Sequence, residues 1–99
     1  MKRMRNNDVI ENFVGRFGDC QNHSTSLQAV NDKLWNYNTV IAQWVVGVGL
    51  VVNATKYSVT TSKLQNVVRR TAYRYVETTE HVPMGTSDLS NYVEVNEHA

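Results

Sequence analysis

The sequence predicts a small α+β fold. We expect an antiparallel sheet built around one central β-hairpin, packed by one amphipathic helix and joined by a short N-terminal helix. Three patterns predict it: a β-rich run on either side of the glycine pair Gly47 and Gly49, an apolar helical stripe after that run, and a shorter helical pattern before it. With 99 residues, 41% of them hydrophobic, the chain is expected to form one domain.

The first element is a short helix that follows a flexible basic arm at residues 1–7. Asp8 is a suitable N-cap, and Gly18 is placed to end the helix. Between them the apolar residues recur at helical spacing: Val9, Ile10, Phe13, Val14 and Phe17. The polar residues 19–26 are predicted to form an exposed loop.

The central hairpin is predicted over residues 39–59, and residues 27–30 are predicted to add an edge strand. The hairpin segment is rich in β-branched and aromatic residues, and Gly47 and Gly49 can supply the backbone angles of its turn. Both faces of residues 39–52 are apolar, so both need a cover. One cover is expected to be helix. The other is either another part of the chain or a second copy of it, which would make a homodimer.

A helix of about four turns is predicted over residues 62–75. The hydroxyls of Thr60, Thr61 and Ser62 suit its N-cap, and its apolar stripe comprises Leu64, Val67, Val68, Thr71 and Tyr75. Residues 8–76 therefore form the predicted core. The apolar pattern decays after Val76, so residues 77–99 are predicted to be an acidic, partly ordered tail.

The net charge of +1 conceals an asymmetry between the two ends of the chain. Residues 1–74 contain all ten Lys and Arg with four acidic residues, whereas residues 75–99 contain five acidic residues and no Lys or Arg. A basic body can bind an anion, or the acidic tail can neutralise it by folding back.

The candidate binding residues are basic side chains of the second helix and polar or aromatic side chains of the hairpin and of the residues that lead into it. The cations could hold phosphates while aromatic rings stack on bases. The alternative interpretation is a solvated helix face beside ordinary strand residues. The candidates are Lys63, Arg69, Arg70, Arg74, Trp35, Tyr37, Asn38 and Tyr57.

Other sites are not predicted. Cys20 and His23, with the more distant His81, supply too few ligands for a structural zinc site, and a single cysteine cannot form an intramolecular disulfide. The chain contains none of the common catalytic motifs, so we expect neither an enzyme nor a cofactor. Asn53 and Lys56 interrupt the longest apolar run, which argues against a membrane span. With no secretory signal predicted, the expected location is the cytoplasm.

Residues 34–63 carry a further pattern. Residues 37–42 match Y-N-T-x-I-A, and residues 53–63 match N-x-T-x-Y-S-x-T-T-S-K. This arrangement resembles one found in small uncharacterised proteins of bacteriophages and prophages, from which no catalytic or binding residue can be transferred.

The resemblance implies a phage accessory protein in the cytoplasm of a bacterial host. It would bind a host protein stoichiometrically, as an anti-CRISPR type inhibitor of a defence system binds a CRISPR effector. The alternatives are a nucleic-acid-binding protein that uses the basic helix face, and a phage structural or assembly protein.

Overall fold

The computed structural model describes residues 1–72 and 76–93. Within these residues the chain forms a seven-stranded sheet whose spatial order, β1 to β7, follows the sequence. The elements are β1 (Lys2–Met4), α1 (Asn6–Val14), β2 (Cys20–Asn22), β3 (Leu27–Val30), β4 (Lys33–Asn36), β5 (Thr39–Val45), β6 (Gly49–Asn53), α2 (Val59–Thr71), β7 (Val76–Thr79) and a 3₁₀ turn (Ser90–Tyr92).

The predicted fold class, a small antiparallel sheet packed by one amphipathic helix, was wrong. The sheet is mixed: β2 to β6 pair as antiparallel neighbours, but β1 pairs with β2, and β6 with β7, in parallel. A parallel pair needs a crossover, and α1 and α2 are the two crossovers. The molecule therefore consists of an antiparallel meander with a β-α-β unit at each side.

Two predictions for the first 26 residues were also wrong. Lys2–Met4, predicted as a flexible arm, is a strand in register with Cys20–Asn22, which was predicted to lie in an exposed loop. Cys20 and Asn22 are buried. Strands of three residues are too short to show an alternating hydrophobic pattern, so only their pairing reveals them.

Helix α1 begins and ends earlier than predicted. Its N-cap is Arg5, and Asp8 lies in its first turn. The helix ends at Val14, so Phe17 lies beyond it and is 79% exposed. Gly15, rather than Gly18, is the C-cap.

Helix α2 also begins before its predicted start. Its N-cap is Ser58, whose Oγ accepts a hydrogen bond from the Thr61 N–H at 3.1 Å. The described helix ends at Thr71, and the predicted end at Tyr75 lies outside the described residues. Both helices pack on one face of the sheet, where they form the larger core with side chains such as Leu34, Ala42 and Val52.

The opposite face of the sheet is covered by the C-terminal part of the same chain. Val82 and Leu89, both almost fully buried, pack there against Val40, Val45 and Val51. These two residues lie in residues 77–99, the segment predicted to be a partly ordered tail. All of β7 except its first residue, Val76, lies in the same segment. The second cover of the hairpin is thus residues 80–93 rather than a second copy of the chain.

A β-bulge in β5 places two consecutive side chains on the same face of the sheet. Leu34 pairs with Ala42 but Trp35 pairs with Val40, so Ile41 is an extra residue on the β5 side. Ile41 and Ala42 consequently both belong to the helix-side core, although they are consecutive in the sequence. The turn that follows uses Gly47 (φ 83°) and Gly49 (φ 108°), which confirms the role predicted for these glycines.

Candidate functional site

The basic side chains of α2 line an open groove between this helix and the edge strand β7. On the strand side, Val76 and Thr78 point toward the helix. We call this surface the α2–β7 groove; its residues are Lys63, Asn66, Val67, Arg69, Arg70, Val76 and Thr78. Val67 and Val76 are half-buried and pack against the helix-side core, so the groove has an apolar floor with a cationic wall.

The three cations of the groove are exposed. Among residues 1–72 and 76–93, the ion pair with an N–O distance below 4.0 Å is the one between Arg16 and Asp32. No carboxylate of these residues lies within 4.0 Å of Lys63, Arg69 or Arg70. Two of the cations, Arg69 and Arg70, lie in the last turn of α2, where their positive charge interacts favourably with the helix dipole. The groove therefore presents concentrated positive charge to solvent.

The structure separates the predicted binding residues into three places. Lys63, Arg69 and Arg70 are together in the groove, whereas Arg74 lies outside the described residues. Trp35 is half-buried in the core on the opposite face of the sheet. The cations of α2 and the ring of Trp35 therefore cannot hold phosphates and stack bases at one site, because the sheet lies between them.

The remaining three candidates, Tyr37, Asn38 and Tyr57, line a small recess beside Met84 at the N-terminal end of α2. Tyr37 is 77% exposed, in a turn where its φ is 53°. Tyr57 is held within the fold: its hydroxyl donates to the Val82 carbonyl oxygen at 2.5 Å and accepts from Asn53 Nδ2 at 2.9 Å. Tyr57 thus connects two parts of the chain, and Tyr37 is the accessible aromatic residue of the recess.

Buried polar side chains form networks that hold the fold together. Gln65 Nε2 donates to the carbonyl oxygens of Asn53 and Thr55 at 2.6 and 3.0 Å, and Thr61 Oγ1 donates to Asn36 Oδ1 at 2.7 Å. Among the described residues, every buried side-chain polar atom has a hydrogen-bond partner. These networks thus direct no unpaired polar group toward a ligand.

A second network anchors the C-terminal segment. Gln43 Nε2 donates to Asp88 Oδ1 at 2.9 Å, and its Oε1 accepts from the Leu89 N–H at 2.7 Å. Hydrogen bonds from the Ser90 backbone and from the Gln43 side chain lower the pKa of Asp88 to about 2. Asp88 is thus a structural carboxylate that fixes the 3₁₀ turn over the second core.

Of the residues considered for a metal site, one is buried and two are exposed. Cys20 is buried; its Sγ accepts from Asn12 Nδ2 at 3.2 Å, and burial raises the pKa of the thiol. His23 and His81 are exposed. Across residues 1–72 and 76–93, no group of three or more His, Cys, Asp or Glu side chains could hold a metal ion.

Another exposed patch lies at the β5–β6 turn. Val46 is 92% exposed there, next to Trp44. The Arg16 guanidinium lies 5.0 Å from the centre of the Trp44 ring and forms an ion pair of 3.0 Å with Asp32. Because its charges are already paired, this patch is a weaker candidate for binding an ion than the α2–β7 groove.

The sequence indicated the cations of the groove but not its other wall. The sequence predicts Val76 at the end of the core and Thr78 in the tail, because a four-residue strand with one apolar side chain has no recognisable pattern. Only the parallel pairing of β7 with β6 brings these residues beside α2.

The comparisons with protein-family models, with curated proteins and with solved structures give no match for this chain. The resemblance to phage proteins accordingly remains a prediction. No helix in the described part of the chain is both long and apolar enough to cross a membrane.

Proposed function

We propose that the protein is a small phage-encoded accessory protein that binds one host protein stoichiometrically. As the phage resemblance implies, the bound host protein would be a component of a bacterial defence system, such as a CRISPR effector, and binding would inhibit it. The observation that carries the binding part of this proposal is the α2–β7 groove, where three exposed cations, with no carboxylate of residues 1–72 and 76–93 within 4.0 Å, line an apolar floor.

The groove has the chemical make-up of a protein-binding surface. Apolar contact from Val67 and Val76 can exclude water at its centre, while Lys63, Arg69 and Arg70 can pair with carboxylates around it. Protein interfaces commonly combine an apolar centre with a polar rim, and arginine is enriched in them. Complementary charge also accelerates association.

The binding test uses two triple variants with the same change in net charge. K63E/R69E/R70E reverses the groove, and R3E/R5E/K56E reverses three exposed cations outside it. We expect the wild type and the R3E/R5E/K56E control to retain a host protein at a 1:1 ratio from bacterial lysate, and the groove variant to lose it. Equal retention by all three proteins would contradict the proposal.

Inhibition is tested in bacteria that carry an active CRISPR system. Expression of the wild type should restore transformation by a targeted plasmid, whereas the groove variant should not. If the wild type leaves interference unchanged although its partner is a CRISPR effector, the inhibitory part of the proposal is wrong.

Nucleic-acid binding is the second candidate, favoured by the observation that Lys63, Arg69 and Arg70 share one groove. Labelled single- and double-stranded DNA and RNA should then bind with an affinity that falls steeply with salt. Replacing the three residues with Ala should flatten the logarithmic salt dependence by about 1 for each phosphate that is no longer neutralised. Absence of binding near physiological salt would reject this candidate.

The third alternative, a structural or assembly protein, was suggested by an apolar hairpin able to self-associate. That feature is missing from the described residues, because both faces of the hairpin are packed within the chain. No other observation favours this alternative.

A further inference from the structure

The two outer strands of the sheet differ in how well they are protected against further pairing. β1 carries Lys2 and Arg3, and charged side chains discourage an edge strand from pairing with another chain. β7 has the sequence Val-Glu-Thr-Thr, in which Glu77 is the one charged residue and no Lys, Arg or Pro occurs. In the described part of the chain β7 pairs with β6 alone, so the backbone groups of its outer edge meet no described strand.

The two faces of β7 present opposite charges to a strand placed beside it. Val76 and Thr78 lie on the groove side. Since side chains alternate along a strand, Glu77 and Thr79 lie on the other side, where Thr79 Oγ1 donates to the Tyr92 carbonyl oxygen at 3.1 Å. An added strand would therefore direct every second side chain toward the cations of α2 and the others toward the face that carries Glu77.

We propose that β7 is the docking strand for an extended acidic segment of the partner protein, which adds to the sheet beyond β7. Its carboxylates alternate with uncharged side chains, so that the carboxylates face Lys63, Arg69 and Arg70. Backbone hydrogen bonds to β7 supply affinity, and the alternation supplies specificity. The identification of the groove as the binding surface rests on the proposed function.

Charge determines this choice of occupant. A carboxylate on the groove side would pair with an exposed guanidinium or ammonium group, whereas one on the other side would be repelled by Glu77. A basic segment could pair only with the single carboxylate of Glu77 on the other side. An acidic segment can pair with three cations on the groove side, so it is the stronger match.

The first test compares two fluorescent peptides of identical composition. One alternates four Glu with four Thr, and the other has four contiguous Glu followed by four Thr. The alternating peptide should bind about tenfold more tightly by fluorescence anisotropy, because all its carboxylates share one face. K63E/R69E/R70E should lose this preference, and the R3E/R5E/K56E control should keep it. Equal affinity of the two peptides would show simple charge attraction and overturn the proposal.

The second test examines the backbone pairing. In a strand the N–H groups of alternate residues point to the same edge, so only one set faces β7. One version of the alternating peptide is N-methylated at its Glu residues and another at its Thr residues. We expect one version to lose binding and the other to retain it. If both versions bind like the parent peptide, the peptide does not extend the sheet.

Other occupants of β7 give different results. A variant truncated after Val93 is compared with the full chain. If the truncated variant bound the peptide much more tightly, residues 94–99 would be competing with the peptide for the edge of β7, and the proposal would be overturned. Dimerisation that the peptide reverses would assign the edge to a second copy, with the same consequence. These measurements need no host protein, so failure of the proposed function and failure of this inference remain distinguishable.

Discussion

Buried amide and hydroxyl groups hold the irregular segments of this protein in place. Asn53 is fully buried; its Nδ2 donates to the Val40 carbonyl oxygen at 3.2 Å, and its Oδ1 accepts from the Thr55 N–H at 3.0 Å. The same amide donates to Tyr57, which donates to the Val82 carbonyl oxygen. Tyr57, a candidate binding residue from sequence, therefore connects the segment before α2 to the C-terminal cover.

Replacement of Tyr57 by Phe removes this connection. The free energy of unfolding should fall by about 1–2 kcal/mol, because the variant leaves a carbonyl oxygen and an amide N–H without this partner. Tyr37→Phe is the matched control: Tyr37 is 77% exposed, so removal of its hydroxyl should change stability by less than about 0.5 kcal/mol. Urea denaturation followed by tryptophan fluorescence measures both. Equal effects of the two variants would contradict the role assigned to Tyr57.

Asp88 should make stability depend on pH in the acidic range. Hydrogen bonds from Ser90 and Gln43 lower its pKa from 3.8 to about 2, so the folded state favours the ionised form. This contribution is present above about pH 4 and is lost as the pH falls toward 2. The stability advantage of the wild type over Asp88→Asn should disappear over that range in denaturation measured at several pH values. An advantage that persists at pH 2 would contradict this.

At the scale of elements, the two helices begin differently. The side chain of Arg5, the N-cap of α1, makes no capping hydrogen bond, whereas Ser58 caps α2 through its contact with the Thr61 N–H. Thr61 also donates to Asn36 on β4, so the first turn of α2 is tied directly to the sheet. The hydrogen bond from Thr61 to Asn36 consequently fixes where the first turn of α2 lies on the sheet.

Ser58→Ala should destabilise the protein by about 1 kcal/mol, the usual effect of losing a serine N-cap. Ser87→Ala is the control, because Ser87 is exposed in a loop and its side chain makes no described hydrogen bond. Thermal unfolding followed by circular dichroism should show a lower midpoint for the first variant alone. A midpoint unchanged by Ser58→Ala would place the start of α2 elsewhere.

At the scale of the whole molecule, one sheet has two different covers. The helices that connect its parallel pairs cover one face, and residues 80–93 cover the other. This second cover contains little regular structure apart from the 3₁₀ turn, but Val82 and Leu89 are almost fully buried in it. Without these side chains Val40 and Val51 would face water.

Leu89→Ala should lower the free energy of unfolding by about 2–5 kcal/mol, since it removes a fully buried side chain and leaves a cavity. Met84→Ala, at a position 69% exposed in the same segment, should have little effect. Chemical denaturation of both variants checks the difference. A small effect of Leu89→Ala would mean that the C-terminal segment does not cover the sheet.

Local sequence determined the features that depend on neighbouring residues. The apolar stripe that includes Leu64 and Val68 specifies which face of α2 is buried, and Gly47 and Gly49 specify the turn between β5 and β6. Periodicity and backbone conformation are properties of short segments, so they can be read without the rest of the chain. The cations of α2 could be identified in the same way.

Tertiary structure decided the rest. The strands β1 and β7 exist because distant partners supply their hydrogen bonds, and the cover of the second face exists because Gln43 and Tyr57 hold residues from the far end of the chain. The α2–β7 groove has its second wall only through the parallel pairing of β7. Such contacts join segments far apart in sequence, and no local pattern encodes which distant segment completes them.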